Sequence, residues 1–187
     1  MLGVVSCTPA TPGIPDTHSA RHGNATSAPS LPTTPAPPAT VDCEAAIDGE
    51  QAPPSGFEII GDAVALPTDR ARSDALQTSE TRLPDGKAGL FAKQGLLVRR
   101  GRVAELTVPE NLRDRFWMRW GGQEPPGDHV VVNRCAAERE WLVFAGGYTV
   151  RHAACLPVDV RVDNGDPRRV RVGIGAPCPG QRPASQR

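Results

Sequence analysis

The strongest constraint on this chain is an alternation near its C-terminal end, where Val158, Val160 and Val162 are interleaved with Asp159, Arg161 and Asp163. A period of two puts valine on one face and charge on the other, which describes a strand with one side buried and one side wet. Antiparallel sheets allow such a strand, whereas the doubly covered strands of parallel sheets read as continuous apolar runs. Asp163-Asn164-Gly165-Asp166-Pro167 follows, and its Asn-Gly step is expected to supply the positive φ of a tight hairpin. The alternation then resumes with Val170, Val172 and Ile174 against Arg169 and Arg171. The stretch reads as a β-hairpin whose core face is valine.

Similar patterns recur upstream. Residues 141–145 are apolar on both faces and suit a central strand, which Gly146-Gly147 either turns or bulges. Residues 57–66 read as one or two strands interrupted at Gly61, and residues 89–93 and 96–99 as two more. In residues 103–108, Ala104, Leu106 and Val108 share a face, and Pro109 ends the run because proline has no N–H for a ladder. Residues 116–120 and 130–132 complete the set, with residues 111–114 as a connector or one helical turn. Residues 68–81 read as a loop or a short helix. Roughly seven to nine short strands, with turn signals about every 8 to 12 residues, fit an all-β sandwich or barrel. No long helical pattern carries a crossover, so the sheets should be mainly antiparallel. We expect an immunoglobulin-like β-sandwich rather than a closed barrel, since nothing in the pattern fixes closure.

Residues 8–41 change character, being built from Pro, Thr, Ser and Ala with almost no large apolar side chains. Such a segment cannot bury enough surface to offset its ordering entropy, so it reads as a disordered tether, with His18 and His22 solvated. The folded domain is expected over residues 42–181, about 140 residues and enough for a real core, with residues 182–187 a disordered tail. Residues 1–7 end in Val4-Val5-Ser6-Cys7, which resembles the end of a bacterial lipoprotein signal and makes Cys7 the candidate lipidation site. The basic and long apolar regions of a full signal are missing, so the true start is expected upstream. No stretch approaches the ~18 apolar residues of a membrane span, so membrane contact is expected through a lipid anchor only.

Four further cysteines, Cys43, Cys135, Cys155 and Cys178, lie inside the domain. An even number in an exported chain argues for two disulfides. Cys43 opens the domain and Cys178 closes it, and domain termini usually lie close together, so the expected pairs are Cys43 with Cys178 and Cys135 with Cys155. The alternative is a zinc site drawing on His129, Cys135, His152 and Cys155. Only His152-x2-Cys155 approaches the close ligand spacing such sites use, so no metal or other cofactor is expected.

Charge and residue usage narrow the function. Lys plus Arg and Asp plus Glu both number 21, which argues against a nucleic-acid partner, because such a partner demands a basic surplus. No serine occurs between Glu80 and Ala184, so a G-x-S-x-G hydrolase has no nucleophile in the body of the domain. Oxidised cysteines supply no thiolate. The carboxylate pairs Asp159 with Asp163 and Glu138 with Glu140 read as ordinary solvated charge, and no catalytic residue is assigned. The possible binding edge comprises Trp117, Trp120, Arg161, Arg169 and Arg171. Aromatics and arginines are common in recognition surfaces, although the three arginines equally suit a solubilising face in register with Asp159 and Asp163. Trp117 and Trp120 point to opposite faces of a regular strand, and residues 121–128 beside them are the best candidate rim. Trp141, among apolar neighbours, is expected in the core.

The residues ALPT (65–68), LFAKQGLLVRRG (90–101), RWGG (119–122), WLVFAGGY (141–148) and VGIGAPCPGQ (172–181) resemble those of uncharacterised secreted or lipid-anchored proteins of high-GC Gram-positive bacteria. The resemblance covers most of the domain and none of the tether, and it implies compartment and kinship without an activity. The expectation is a non-enzymatic domain displayed on the cell envelope that binds a protein or cell-wall component. The alternative is a small-ligand-binding lipoprotein serving a transporter or sensor, which requires a concave and mostly apolar pocket.

Overall fold

A computed structural model describes residues 37–185. Cys7, the signal-like residues 1–7, most of the expected tether and the last two residues lie outside the described residues. Short strands form wherever the apolar alternation runs between turn residues, and the described residues contain fourteen of them, more than the sequence count, because strands also form at 39–41, 46–50 and 79–82, where none was expected, and at 146–150 beyond the run 141–145. In chain order they are β1 (Ala39–Val41), β2 (Ala46–Glu50), β3 (Glu58–Ile60), β4 (Val64–Leu66), β5 (Ser79–Arg82), β6 (Ala88–Lys93) and β7 (Leu96–Arg99). They continue with β8 (Ala104–Thr107), β9 (Phe116–Trp120), β10 (His129–Val132), β11 (Trp141–Phe144), β12 (Gly146–Val150), β13 (Ala154–Val162) and β14 (Arg168–Ile174). Residues 68–78 are irregular and contain no helix, and Glu110–Leu112 is a single 3-10 turn.

The strands form three ladders, ordered β1-β10-β8-β13-β14, β2-β11-β7-β4-β3 and β5-β6-β12-β9. Pairing is antiparallel apart from β1, which lies parallel to β10. The second and third ladders are halves of one creased sheet. Arg99 faces Trp141, Leu96 faces Phe144, Lys93 faces Gly147 and Leu90 faces Val150, so the register of the two long runs continues across the crease. At the crease itself the Gln94 N–H donates to the Gly146 carbonyl at 2.8 Å. Strands that switch sheets through a bend are how orthogonal sandwiches make their corners. The Gly146-Gly147 pair therefore neither turns nor bulges β11 but opens β12. A Cβ at Gly146 would collide with the Arg119 carbonyl, and one at Gly147 with the Ala92 carbonyl, so the crease leaves no room for side chains there.

The first ladder packs its valine face into this crease to give the all-β sandwich. Leu106, Val158 and Val172 from one side share a single core with Val98, Phe144, Met118 and Tyr148 from the other. Trp120 is buried at its centre, its indole N–H donating to the Gln94 carbonyl at 2.8 Å and its ring edge-on to Tyr148 at 5.3 Å. Trp141 is buried as expected, but in a separate cluster with Ala65 and Leu97. Because β2 and β3 occupy opposite edges of the second ladder, residues 51–57 carry the chain between them, and Phe57 packs on this cluster.

The hairpin β13–β14 forms in the register the alternation predicts, with Asp159 opposite Arg169. Its positive φ, however, falls at Asp163 (50°) and not on the Asn-Gly step. Tertiary contacts choose that residue: the Asp163 carboxylate accepts from the Val103 N–H at 3.0 Å and from Arg102 Nε at 2.7 Å. Aspartate is one of the few side chains that visit this region readily.

Two disulfides close the domain, but they join Cys43 to Cys135 and Cys155 to Cys178. The expectation from termini fails because β1 and β14 lie at opposite edges of the same ladder. Parallel pairing of β1 with β10 instead brings Cys43, just past Val41, beside Cys135, just past Val132, with Cα atoms 5.4 Å apart. The domain also starts earlier and ends later than expected. β1 falls within residues 8–41, and Arg182 donates through its backbone to the Ser73 carbonyl and through Nε to Asp74.

Peptide mapping without reductant should recover the 43–135 and 155–178 links, and a 43–178 link would overturn this topology. Replacing Cys43 and Cys135 together by serine should cost about 2–5 kcal/mol in urea unfolding. Gly146→Ala should lose about 1–3 kcal/mol through overpacking at the crease, and an unchanged midpoint would show that the crease is able to relax.

Candidate functional site

The charged outer face of the first ladder is built by the same alternation that builds its core. Arg161 stands opposite Glu105 in register and reaches it at 3.3 Å, and Glu105 also holds His129 Nε2 at 2.7 Å. Arg169 makes two bonds to Asp159, at 2.7 and 2.8 Å, and Arg171 reaches Asp69 at 2.6 Å. All three arginines are thus neutralised by neighbouring carboxylates, the arrangement of a solubilising face.

The tryptophans lie on a different ladder. Trp120 points inward, while Trp117 points outward and carries the Arg151 guanidinium 5.9 Å above its ring. Next to it Arg119 lies 5.6 Å above Phe91 and pairs with Glu124, and Arg151 pairs with Asp85 at 2.8 Å. Guanidinium groups favour such aromatic faces, so a face of each ring is already occupied. The structure therefore does not bring Trp117, Trp120, Arg161, Arg169 and Arg171 into one site. Residues 121–128 fold back instead of forming a free rim: Gly127 exchanges two backbone hydrogen bonds with Met118, and a Cβ at Gly121 would strike Val41. Of the four zinc donors considered, Cys135 and Cys155 are consumed in separate disulfides and His129 is held by Glu105.

Several acids are held below the ordinary carboxylate range, each by a structural partner. For Asp163 the Val103 N–H acts first and Arg102 second, for Asp85 it is chiefly Arg151, and for Asp74 chiefly Arg182. Arg182 is raised in turn by Asp74, and on the first ladder Arg169 is raised by its hydrogen bonds to Asp159. These are loop-pinning anions, the opposite of a carboxyl kept protonated for proton transfer.

A cleft of about 500 Å³ opens where the first and third ladders separate. Leu76 is stitched to the first ladder, donating to Gly173 at 2.8 Å and accepting from Gly175 at 2.9 Å, whereas Ser79 already belongs to β5. Gln77 and Thr78 must span the gap, and they line the cleft with Arg72, Ser79, Phe91 and Lys93. Asp74 also lines it but is held by Arg182 at 2.7 Å, and Gln77 is held by the Ser185 carbonyl. The Arg72 guanidinium donates to the Asp74 carbonyl at 3.1 Å and adds a minor Coulombic pull on the Asp74 carboxylate, but neither Arg72 nor Lys93 forms an ion pair with a described carboxylate. Sequence reasoning missed this cleft. Its one trace is a lone lysine at the end of an apolar strand, Lys93, followed by Gln94-Gly95.

Comparison with protein-family models, with curated proteins and with solved structures finds no match.

Asp163 offers a test of the pinned loops. Its folded pKa is depressed, so its stabilisation is complete above the unfolded value near 4 and is lost as pH falls through the lower folded value. Asp163→Asn should lower the unfolding midpoint at neutral pH and reduce the loss of stability on acidification below about pH 4. Parallel acid profiles of variant and parent would show that the carboxylate contributes nothing.

Proposed function

We propose that this protein is a non-enzymatic binding domain displayed on the cell envelope, tethered through lipid on Cys7, and that it recognises a protein or cell-wall component. Two disulfides support an oxidising compartment outside the cytosol for the folded domain. No helix of the described residues is long and apolar enough to cross a membrane. The observation that carries the binding reading is the contrast in charge pairing. Arg161, Arg169 and Arg171 on the outer face of the first ladder are matched by carboxylates, while Arg72 and Lys93 beside the cleft form no ion pair with a described carboxylate. Unmatched cations at a concave, polar place are available to a partner without first breaking an internal pair. The cleft is open and lined mainly by polar side chains, which favours a surface partner over an apolar small molecule.

Crosslinking in intact host cells, with the full chain carrying a photoreactive residue at position 78, should capture a discrete neighbour. Capture of nothing above the level seen with the same probe on the exposed turn at Gly86 would remove this reading.

A further inference from the structure

Resting on that reading, we propose that the crease at Lys93 is a strand-docking seam that accepts an extended acidic segment of a partner protein. The argument begins with backbone parity. In an antiparallel ladder, successive residues turn their N–H and C=O alternately to one neighbour and the other. Gln94 donates to Gly146 on the β12 side, so Ala92 and Leu90 also bond toward β12, and Lys93, Phe91 and Gly89 bond toward β5. Ser79 faces Phe91 and Thr81 faces Gly89, but β5 begins at Ser79, and the chain before it departs for the first ladder. Lys93 therefore turns its N–H and C=O toward a position no strand occupies.

Beyond the crease the flank is paired again, with Arg99 donating to the Ala63 carbonyl at 2.8 Å and Leu97 facing Ala65. Gly95 lies between these two paired regions. Neither Lys93 nor Gly95 has a backbone hydrogen bond toward this flank from a described residue. The corresponding gap beside the other creased strand is treated differently, because the Gly121 N–H donates to the Ala145 carbonyl at 2.9 Å and closes it. One side of the crease is sealed and the other is open beside the cleft.

An open strand edge is a template for an incoming strand, which gains main-chain hydrogen bonds there. The window from Lys93 to Gly95 admits roughly three residues at about 3.3 Å each. The side chains around it set the sign of the guest: Lys93 is exposed, Arg72 lies in the same cleft, and the one acid there is neutralised by Arg182. A guest with alternating glutamate or aspartate places its carboxylates toward these cations while its backbone meets Lys93. A lysine-bearing guest of the same length meets repulsion.

The test is an NMR titration of the isotopically labelled full chain with an end-capped hexapeptide alternating valine and glutamate. Two probes are run in parallel, the same peptide with lysine for glutamate and a soluble N-acetylglucosamine oligomer. The expected result is saturable movement of the Lys93 and Gly95 amide signals with the acidic peptide, weakened at least tenfold in the double variant Lys93→Glu with Arg72→Glu. Lys93 is exposed and Arg72 half-buried, and unchanged far-UV circular dichroism would confirm that the variant is folded. Movement confined to other residues, an equal response to the lysine peptide, or a response to the sugar oligomer alone would overturn the proposal. If the neighbour captured in cells is captured equally by the double variant, the display reading survives and the seam does not.

Discussion

The shared register of residues 88–99 and 141–150 is the constraint on which the fold depends. Because both runs bend together, backbone hydrogen bonds that would be lost at a kink in a single strand are kept, as the Gln94 to Gly146 bond shows. Buried backbone groups are costly to leave unpaired, so a crease that preserves its ladder can lie against the core. Glycine at 146 and 147 lets the backbones approach closely enough, and the Trp120 indole fills the inside of the bend while bonding to Gln94. The first ladder then needs only a flat apolar face to close the sandwich, and its alternating valines supply one.

Charge does different work on the two sides of this arrangement. Across the first ladder Arg161 and Arg169 face their acids in register and Arg171 finds Asp69 beyond it, so a surface rich in arginine adds solubility without much net field. Exposed pairs of this kind contribute little to stability individually. Their consequence is specificity, since a paired guanidinium must give up its carboxylate before it can hold anything else. The cleft at the crease has cations with no such prior commitment, which is why it and not the tryptophan edge is the better candidate for recognition.

Much of the architecture was legible in the residues because it is local. The β13–β14 hairpin, the shared face of Ala104, Leu106 and Val108, the opposite facing of Trp117 and Trp120 and the burial of Trp141 all follow from period two. What was not legible depends on neighbours distant in the chain. Gln94-Gly95 and Gly146-Gly147 look like strand breaks one at a time, and only their pairing across the sheet makes them a crease. The disulfide partners depend on ladder order, because Cys43 follows a strand that lies beside β10 and far from β14. The positive φ moved from Asn-Gly to Asp163 for the same reason, since Arg102 and Val103 come from another strand. Lys93 leaves only a faint trace in the sequence, its openness being created by where residues 77 and 78 go.

The link between Cys43 and Cys135 also determines how the domain bears mechanical load. Tension arriving from the N-terminal side first meets β1, three residues that lean on the edge of β10. If β1 peels away, the pull passes at Cys43 into a covalent bond with the chain just beyond β10, and the chain between the two cysteines is bypassed. The creased strand β6 and the cleft residues from Arg72 to Gln94 lie within that bypassed loop, with Ser185 outside it. A pull from that side would therefore strip away a short outer strand while leaving β6 in shape, as a fuse protects the circuit behind it.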